Sequence, residues 1–146
     1  MLLKRAPKLD DGEIRLHFAG KQVDPKPNGW GTSFIYDIQV GPKIVGRCDL
    51  RIGSGTTIEY AGHIGYAVYL PYRGHHYAAK ACLLLFKQAK HLGMSEVTIT
   101  CNTDNIASYR TCELAGCTFV ATKPVPIDHE LYLQGDREKA LFIKQL

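Results

Sequence analysis

Apolar and polar positions alternate through "SFIYDIQV" (33 to 40), where Phe34, Tyr36, Ile38 and Val40 fall on every second residue. That period predicts a half-buried strand. The tight turn "GPK" leads into "IVGRCDLRI" (44 to 52), so the two segments are expected to pair as a hairpin. Upstream, "EIRLHF" (13 to 18) reads as a first strand, and "GKQVDPKPNGWG" (20 to 31), with its prolines and glycines, reads as a loop. After a second turn, "GSGTT", the aromatic and branched run "YAGHIGYAVYL" (60 to 70) predicts a fourth strand.

From here the period changes. Ala78, Cys82, Leu85, Phe86 and Ala89 recur at helical spacing while Lys80, Lys87 and His91 fall elsewhere on the wheel, predicting an amphipathic helix over 76 to 91 that Gly93 ends. "SEVTITC" (95 to 101) alternates again. "NTDNIASYRTCELAG" follows, with a helix start at Asp104 and Asn105 and a stop at Gly116. "CTFVAT" (117 to 122) and "KALFIKQL" (139 to 146) supply the last strands, joined by a long polar connection.

Strands followed by two strand–helix units and two more strands predict an α/β (α+β) design, a mixed sheet flanked by helices. A ligand in such a sheet belongs where strand ends open toward helix starts. The length of 146 residues fits one domain over 1–146, and 45% hydrophobic with 22% charged residues is ordinary for a globular chain. The net charge of +4 is mild and its basic residues are scattered, which argues against a nucleic-acid partner. No apolar run approaches the roughly 20 residues of a membrane span, and the start resembles no secretory signal, so no membrane partner and a cytoplasmic location are expected. Cys48, Cys82, Cys101, Cys112 and Cys117 form no C-x-x-C pair, and with six histidines they make no zinc spacing. They read as reduced core thiols, and no metal is expected.

The chemistry concentrates in "LPYRGHHYAAKACLLLF" (70 to 86), where a strand runs into a helix through a basic turn containing glycine. A helix N-terminus offers unpaired N–H groups and the positive end of its dipole, a seat for phosphate. Gly74 lets the backbone pass close to such a ligand, and Arg73 adds fixed positive charge. The plainer alternative is a strand-to-helix turn carrying a surface arginine.

"HIGYAVYLPYRGHHYAAKA" followed by "CNTDNIASYRTCELAGC" resembles the GNAT superfamily of N-acetyltransferases, in its ribosomal-protein-acetylating branch, across residues 60 to 119. The resemblance implies a mostly antiparallel central sheet of six to seven strands, with a shortened region between the first two strands, where most relatives carry two helices. It implies acetyl-CoA as cosubstrate. Arg73, Gly74, His75, His76, Tyr77 and Ala78 would hold the CoA diphosphate, the backbone at Val68, Tyr69 and Leu70 would pair with the pantetheine arm, and Asn105 and Ser108 match the family's CoA-side positions. His76 departs from the pattern, standing where the family prefers glycine.

Direct acetyl transfer needs a neutral amine, a donor for the oxyanion and a proton for the leaving thiolate. By the same resemblance, a backbone N–H near Val68 or Tyr69 would face the thioester oxygen. His63 stands where relatives often carry glutamate and is the candidate base, with Glu59 second. Cys112 fills the place of a frequent acidic tyrosine, and Tyr109, one turn earlier, is its possible substitute. Trp30 is a candidate for lining the acceptor pocket, and residues 128 to 136 for closing over it. The acceptor is expected to be a primary amine, on a protein N-terminus or a small molecule, at a site that is open or completed in a homodimer. The rival reading is a non-catalytic CoA-binding sensor or interaction module.

Overall fold

The computed structural model describes residues 5–146. Strands β1 (Arg15–Val23), β2 (Thr32–Val40), β3 (Lys43–Ile52) and β4 (Ile64–Val68) form one antiparallel sheet in the order β1-β2-β3-β4. Strands β5 (Glu96–Asn102), β6 (Thr118–Pro124) and β7 (Glu138–Gln145) form a second, in the order β5-β7-β6. The class expected from the sequence is present, as seven strands in two antiparallel sheets instead of one central sheet. Helices α1 (Thr56–Ala61), α2 (Tyr77–His91), α3 (Ile106–Leu114) and α4 (Glu130–Leu133) complete the fold.

The sheets are pinned together at one point and then part. The His63 N–H donates to the Thr98 carbonyl at 2.7 Å, and the Thr98 N–H donates to His63 Nδ1 at 3.0 Å. Beyond that junction β4 and β5 belong to separate sheets, and the space between them becomes the site.

Helix α2 fills the angle between the sheets. Its Ala81, Cys82, Leu85 and Ala89 are fully buried, in one continuous cluster with Ile38, Val45 and Leu50 of the first sheet and Val97, Ile99 and Phe142 of the second. No helix among the described residues is long and apolar enough to cross a membrane.

Three local expectations are corrected. Residues 20–23, expected in a loop, continue β1 past a bulge between Phe18 and Gly20. The strand expected over 60 to 70 is confined to Ile64–Val68. Residues 56–61 are α1, and Leu70–Tyr72 form a 3-10 turn around Pro71. Gly62 is the physical reason for the first break: its φ of 78° lies in the left-handed region, and a Cβ there would stand 2.9 Å from the Thr98 carbonyl oxygen. The polar connection before β7 also contains α4, whose Leu131 is buried.

Candidate active site

A cleft of about 430 Å³ lies between the end of β4, the start of α2 and the first turns of α3. Of the cofactor positions expected from the sequence, Val68, Arg73, Gly74, His76, Tyr77, Ala78, Asn105 and Ser108 line it. Arg110 and Thr111 of α3 join them, so the cleft has two arginines and, among the described residues, no carboxylate. Tyr69, Leu70 and His75 lie outside its lining; His75 instead stacks on Tyr77 at 5.1 Å.

The start of α2 is shaped by two left-handed residues, Gly74 (φ 96°) and His76 (φ 61°). A Cβ at Gly74 would meet nothing within 4 Å, so the backbone conformation rather than crowding calls for glycine. His76 meets the same demand with a β-carbon, at a cost of about 1 kcal/mol. The family's glycine at that position therefore has a conformational explanation here. The first helical bond of α2 runs from the Lys80 N–H to the His76 carbonyl, leaving the N–H groups of Tyr77, Ala78 and Ala79 without intrahelical partners.

In an antiparallel ladder, alternate residues bond to a given neighbour. The Tyr69 N–H donates to the Val45 carbonyl and the Arg51 N–H to the His63 carbonyl, which assigns Gly65 and Ala67 to the β3 side. The backbone groups of Tyr66 and Val68 consequently face the gap. Arg73 Nε reaches the Val68 carbonyl from that side at 2.9 Å. This shifts the expected pairing edge from Val68, Tyr69 and Leu70 to Tyr66 and Val68, because the Tyr69 N–H is committed to β3 and the Leu70 carbonyl to the Arg73 N–H.

Tyr66 stands at the centre of the site and was not among the sequence candidates. It lines the cleft, an inner cavity of about 240 Å³, and a trough of about 900 Å³ over the opposite face of the first sheet. Its hydroxyl donates to Ser108 Oγ at 3.0 Å, tying β4 to α3 across the gap. Burial raises its ionisation well above the ordinary phenol range, so it stays protonated. An aromatic residue in "IGYAV" looks like any packed strand residue until Ser108 is placed opposite it.

Trp30 and Arg51 line both the inner cavity and the trough. Arg51 Nε donates to Asp49 Oδ2 at 2.8 Å and Nη1 donates to the carbonyls of Ala61 and Gly62 at 2.9 and 3.1 Å. Its guanidinium carbon lies 5.0 Å from the Trp30 ring, whose Nε1 donates to Glu130 Oε2 at 3.0 Å. The Asp49–Arg51 pair crosses directly over Gly65, where a Cβ would come within 2.5 Å of both side chains.

The four catalytic candidates from sequence all lie off these cavities. His63 borders a separate cavity with Gly53 and Lys123. Burial lowers its ionisation, and the Thr98 N–H bond to Nδ1 suits the neutral ring. Glu59 sits on α1 rather than on a strand, and pairs with Lys123 at 3.2 Å beside that same separate cavity. Cys112 is fully buried in the core, its thiol pushed far up by its bond with Cys117 and by burial. Tyr109 packs against Phe142 and Phe119, on the side of α3 away from the cleft. Helical phase explains both α3 misses: Ser108 and Thr111 take the cleft face, which leaves Tyr109 and Cys112 turned to the core. Among the described residues no group of three His, Cys, Asp or Glu side chains is placed to hold a metal ion.

Comparison with known proteins agrees with this fold. The microcin C7 self-immunity acetyltransferase MccE, solved with acetyl-CoA and AMP, matches with a TM-score of 0.62 at 20% identity, over 78% of this chain and 61% of that one. RimL, a ribosomal alpha-N-protein acetyltransferase solved with coenzyme A, matches with a TM-score of 0.62 at 17% identity, over 78% of this chain and 62% of that one. Mycobacterium smegmatis RimJ, solved with CoA-disulfide, matches with a TM-score of 0.61 at 16% identity, over 77% and 53%. The chain thus spans about three fifths of the length of the first two structures, and the likeness to all three is one of fold. No curated protein sequence matches the chain significantly. A family model described as the acetyltransferase (GNAT) domain matches residues 5–118, more than half of the chain. The protein belongs to the GNAT acetyltransferase family.

Proposed function

We propose that the protein is an acetyl-CoA-dependent N-acetyltransferase that passes the acetyl group directly to a primary amine. One observation carries the reading: the free edge of β4 leads through the Leu70–Tyr72 turn to the start of α2, along a single cleft free of carboxylates among the described residues. An extended, amide-rich arm can add to such an edge as another strand, through the backbone of Tyr66 and Val68. Its diphosphate then ends on the N–H groups of Tyr77, Ala78 and Ala79, with Arg73 and Arg110 beside it. Family membership and the acetyl-CoA and CoA complexes of MccE and RimL support the same cosubstrate.

In this arrangement the thioester lies near Tyr66, where cleft, inner cavity and trough meet. A gap-facing N–H of Tyr66 or Val68 stabilises the oxyanion as the amine lone pair attacks the thioester carbon. The C–N bond forms, the C–S bond breaks, and the electron pair leaves on sulfur. Ser108 Oγ, which already accepts a hydrogen bond from Tyr66, has its own proton free to donate to that thiolate. The thiolate's final proton comes from solvent. His63, Glu59, Tyr109 and Cys112 have no role in this scheme, and the amine enters already neutral.

The test combines calorimetry with CoA and release of free thiol from acetyl-CoA in the presence of primary amines. Saturable CoA heat together with amine-dependent thiol release is the expected result. CoA binding without release for any amine would favour the sensor reading, and no CoA heat would remove both.

A further inference from the structure

The inner cavity contains a polar atom that the fold leaves unanswered. Asn102, the last residue of β5, lines this cavity with Tyr66, Thr100 and Ser108, and its Oδ1 is buried without a hydrogen-bond partner among the described residues. Leaving a buried acceptor unmade costs about 1–3 kcal/mol, so such an atom needs an explanation. Among the described residues the other buried polar side chains are satisfied, so this one points to a missing donor.

The orientation of the amide is fixed by what lies behind it. Asn102 Nδ2 donates to Asp136 Oδ1 at 3.1 Å, and Asp136 Oδ2 accepts from Lys139 Nζ at 2.9 Å. Lys139 pairs with Asn102 across the β5–β7 ladder and is only 8% exposed. Burial pulls the Asp136 carboxyl upward, but the bonds from Lys139 and Asn102 and the nearby positive charges outweigh it, and the group is held below the ordinary carboxylate range. An ionised carboxylate only accepts hydrogen bonds, so the amide must present its nitrogen to Asp136. Its oxygen is left over beside the cavity, shielded from solvent, so a donor reaches it by displacing part of the lining.

We propose that Asn102 Oδ1 is the hydrogen-bond acceptor that positions the incoming amine, taking one N–H of a neutral primary amine while the nitrogen lone pair faces the thioester beside Tyr66 and Ser108. The proposal rests on the acetyl-transfer reading above and adds to it the group that recognises the acceptor's reacting end. Asn102 does not change protonation. When the C–N bond forms, the nitrogen loses one proton to solvent, while the other N–H keeps its bond to Asn102 in the amide product. The site therefore selects for a nitrogen with two N–H bonds: one is retained on Asn102 and one is lost. A secondary amine has only the proton it must give up.

The test uses the whole chain saturated with CoA and titrated with glycinamide, and separately with its N-methylated secondary-amine counterpart, while the Asn102 side-chain amide signals are followed by NMR. Glycinamide should shift those signals saturably, and in turnover with acetyl-CoA the secondary amine should release thiol at least about fivefold more slowly than glycinamide. Asn102→Ala should weaken glycinamide binding by roughly tenfold, the loss expected for one hydrogen bond to a neutral amide. Its calorimetric affinity for CoA should not change. Asn102→Leu keeps the branched side chain but removes both amide groups, including the donor to Asp136, and should show the same loss of glycinamide with CoA affinity kept. Unmoved Asn102 signals with normal CoA binding, or unchanged glycinamide affinity in either variant, would overturn the proposal and leave the acetyl-CoA reading intact. Failure of the parent protein to bind CoA would sink both.

Discussion

The two sides of Tyr66 are built in different ways. The cleft on the α2 side comes from two short stretches: residues 66–78, with a strand edge, two left-handed turn residues and the start of a helix, and residues 105–111 at the start of α3. The inner cavity and trough are built from side chains far apart in sequence, such as Trp30 with Glu130, Arg51 with the Ala61 and Gly62 carbonyls, and Asn102 with Asp136. A binding surface made of two short stretches, each closed by local backbone geometry, can accept the same ligand in many sequences. One assembled from distant side chains changes whenever any loop changes, which suits a constant donor on one side and a variable acceptor on the other.

The largest expected effect separates the two sides outright. Gly74→Glu places a carboxylate in the cleft, at a position with φ 96° that disfavours any side chain, and should weaken CoA by roughly 100-fold in calorimetry, about 3 kcal/mol. Near-normal CoA affinity in that variant would show that the diphosphate does not lie at the α2 turn. Gly65→Ala probes the opposite side. Its methyl group would collide with Arg51 and Asp49, so kcat/KM for the amine should fall about tenfold, with CoA affinity kept. Parallel loss of CoA affinity would show that the two sides are not independent.

A smaller effect tests the strained turn. His76→Gly relieves a left-handed residue carrying a β-carbon and should raise unfolding stability by about 1 kcal/mol in denaturant melts. A drop in stability would mean that His76 makes a compensating contact. The smallest concerns His63, whose folded ionisation is lowered by burial below the unfolded value of about 6.5. The unfolded chain then binds more protons at this group, so its contribution is fully present above about pH 6.5 and is lost as pH falls toward the folded value. The thermal midpoint should decline by a few degrees or less more steeply between pH 7 and 5 than in His63→Gln. Equal slopes would remove His63 as the junction's pH-sensitive group.

Much of the cleft's lining was legible in the chain because its geometry is local. The run from Val68 to Ala78 carries a change of period from two to 3.6, a glycine and an arginine, and these mark a strand edge meeting a helix start. Asn105 and Ser108 were equally visible, since Asn105 caps α3 by accepting the Ser108 N–H at 3.1 Å, a bond between residues three apart. The catalytic candidates lie off the cleft for reasons of direction. A one-residue change of helical position separates Ser108, which faces the cleft, from Tyr109, which faces Phe142. His63 was read as a strand side chain, whereas the turn at Gly62 gives it to the junction between sheets. Tyr66 and Asn102 stand inside the stretches that carry the family resemblance, "HIGYAVYL" and "CNTDNIAS", yet sequence assigns them no role, because the partners that suggest one are distant. Their partners, Ser108 and Asp136, are 42 and 34 residues away.

What the sequence alone determined is the set of interactions closed within a few residues: the periods of the strands and helices, the caps, and the glycine-dependent turn that leaves N–H groups free for an anion. What only the tertiary structure decided is the parting of β4 from β5 and the faces that meet across it. Splaying depends on how α2 wedges both sheets at once, with Ala81, Cys82, Leu85 and Ala89 in one cluster with residues of both sheets and α3. Local periodicity fixes which side of its own strand or helix a residue takes, and only packing fixes what that side confronts.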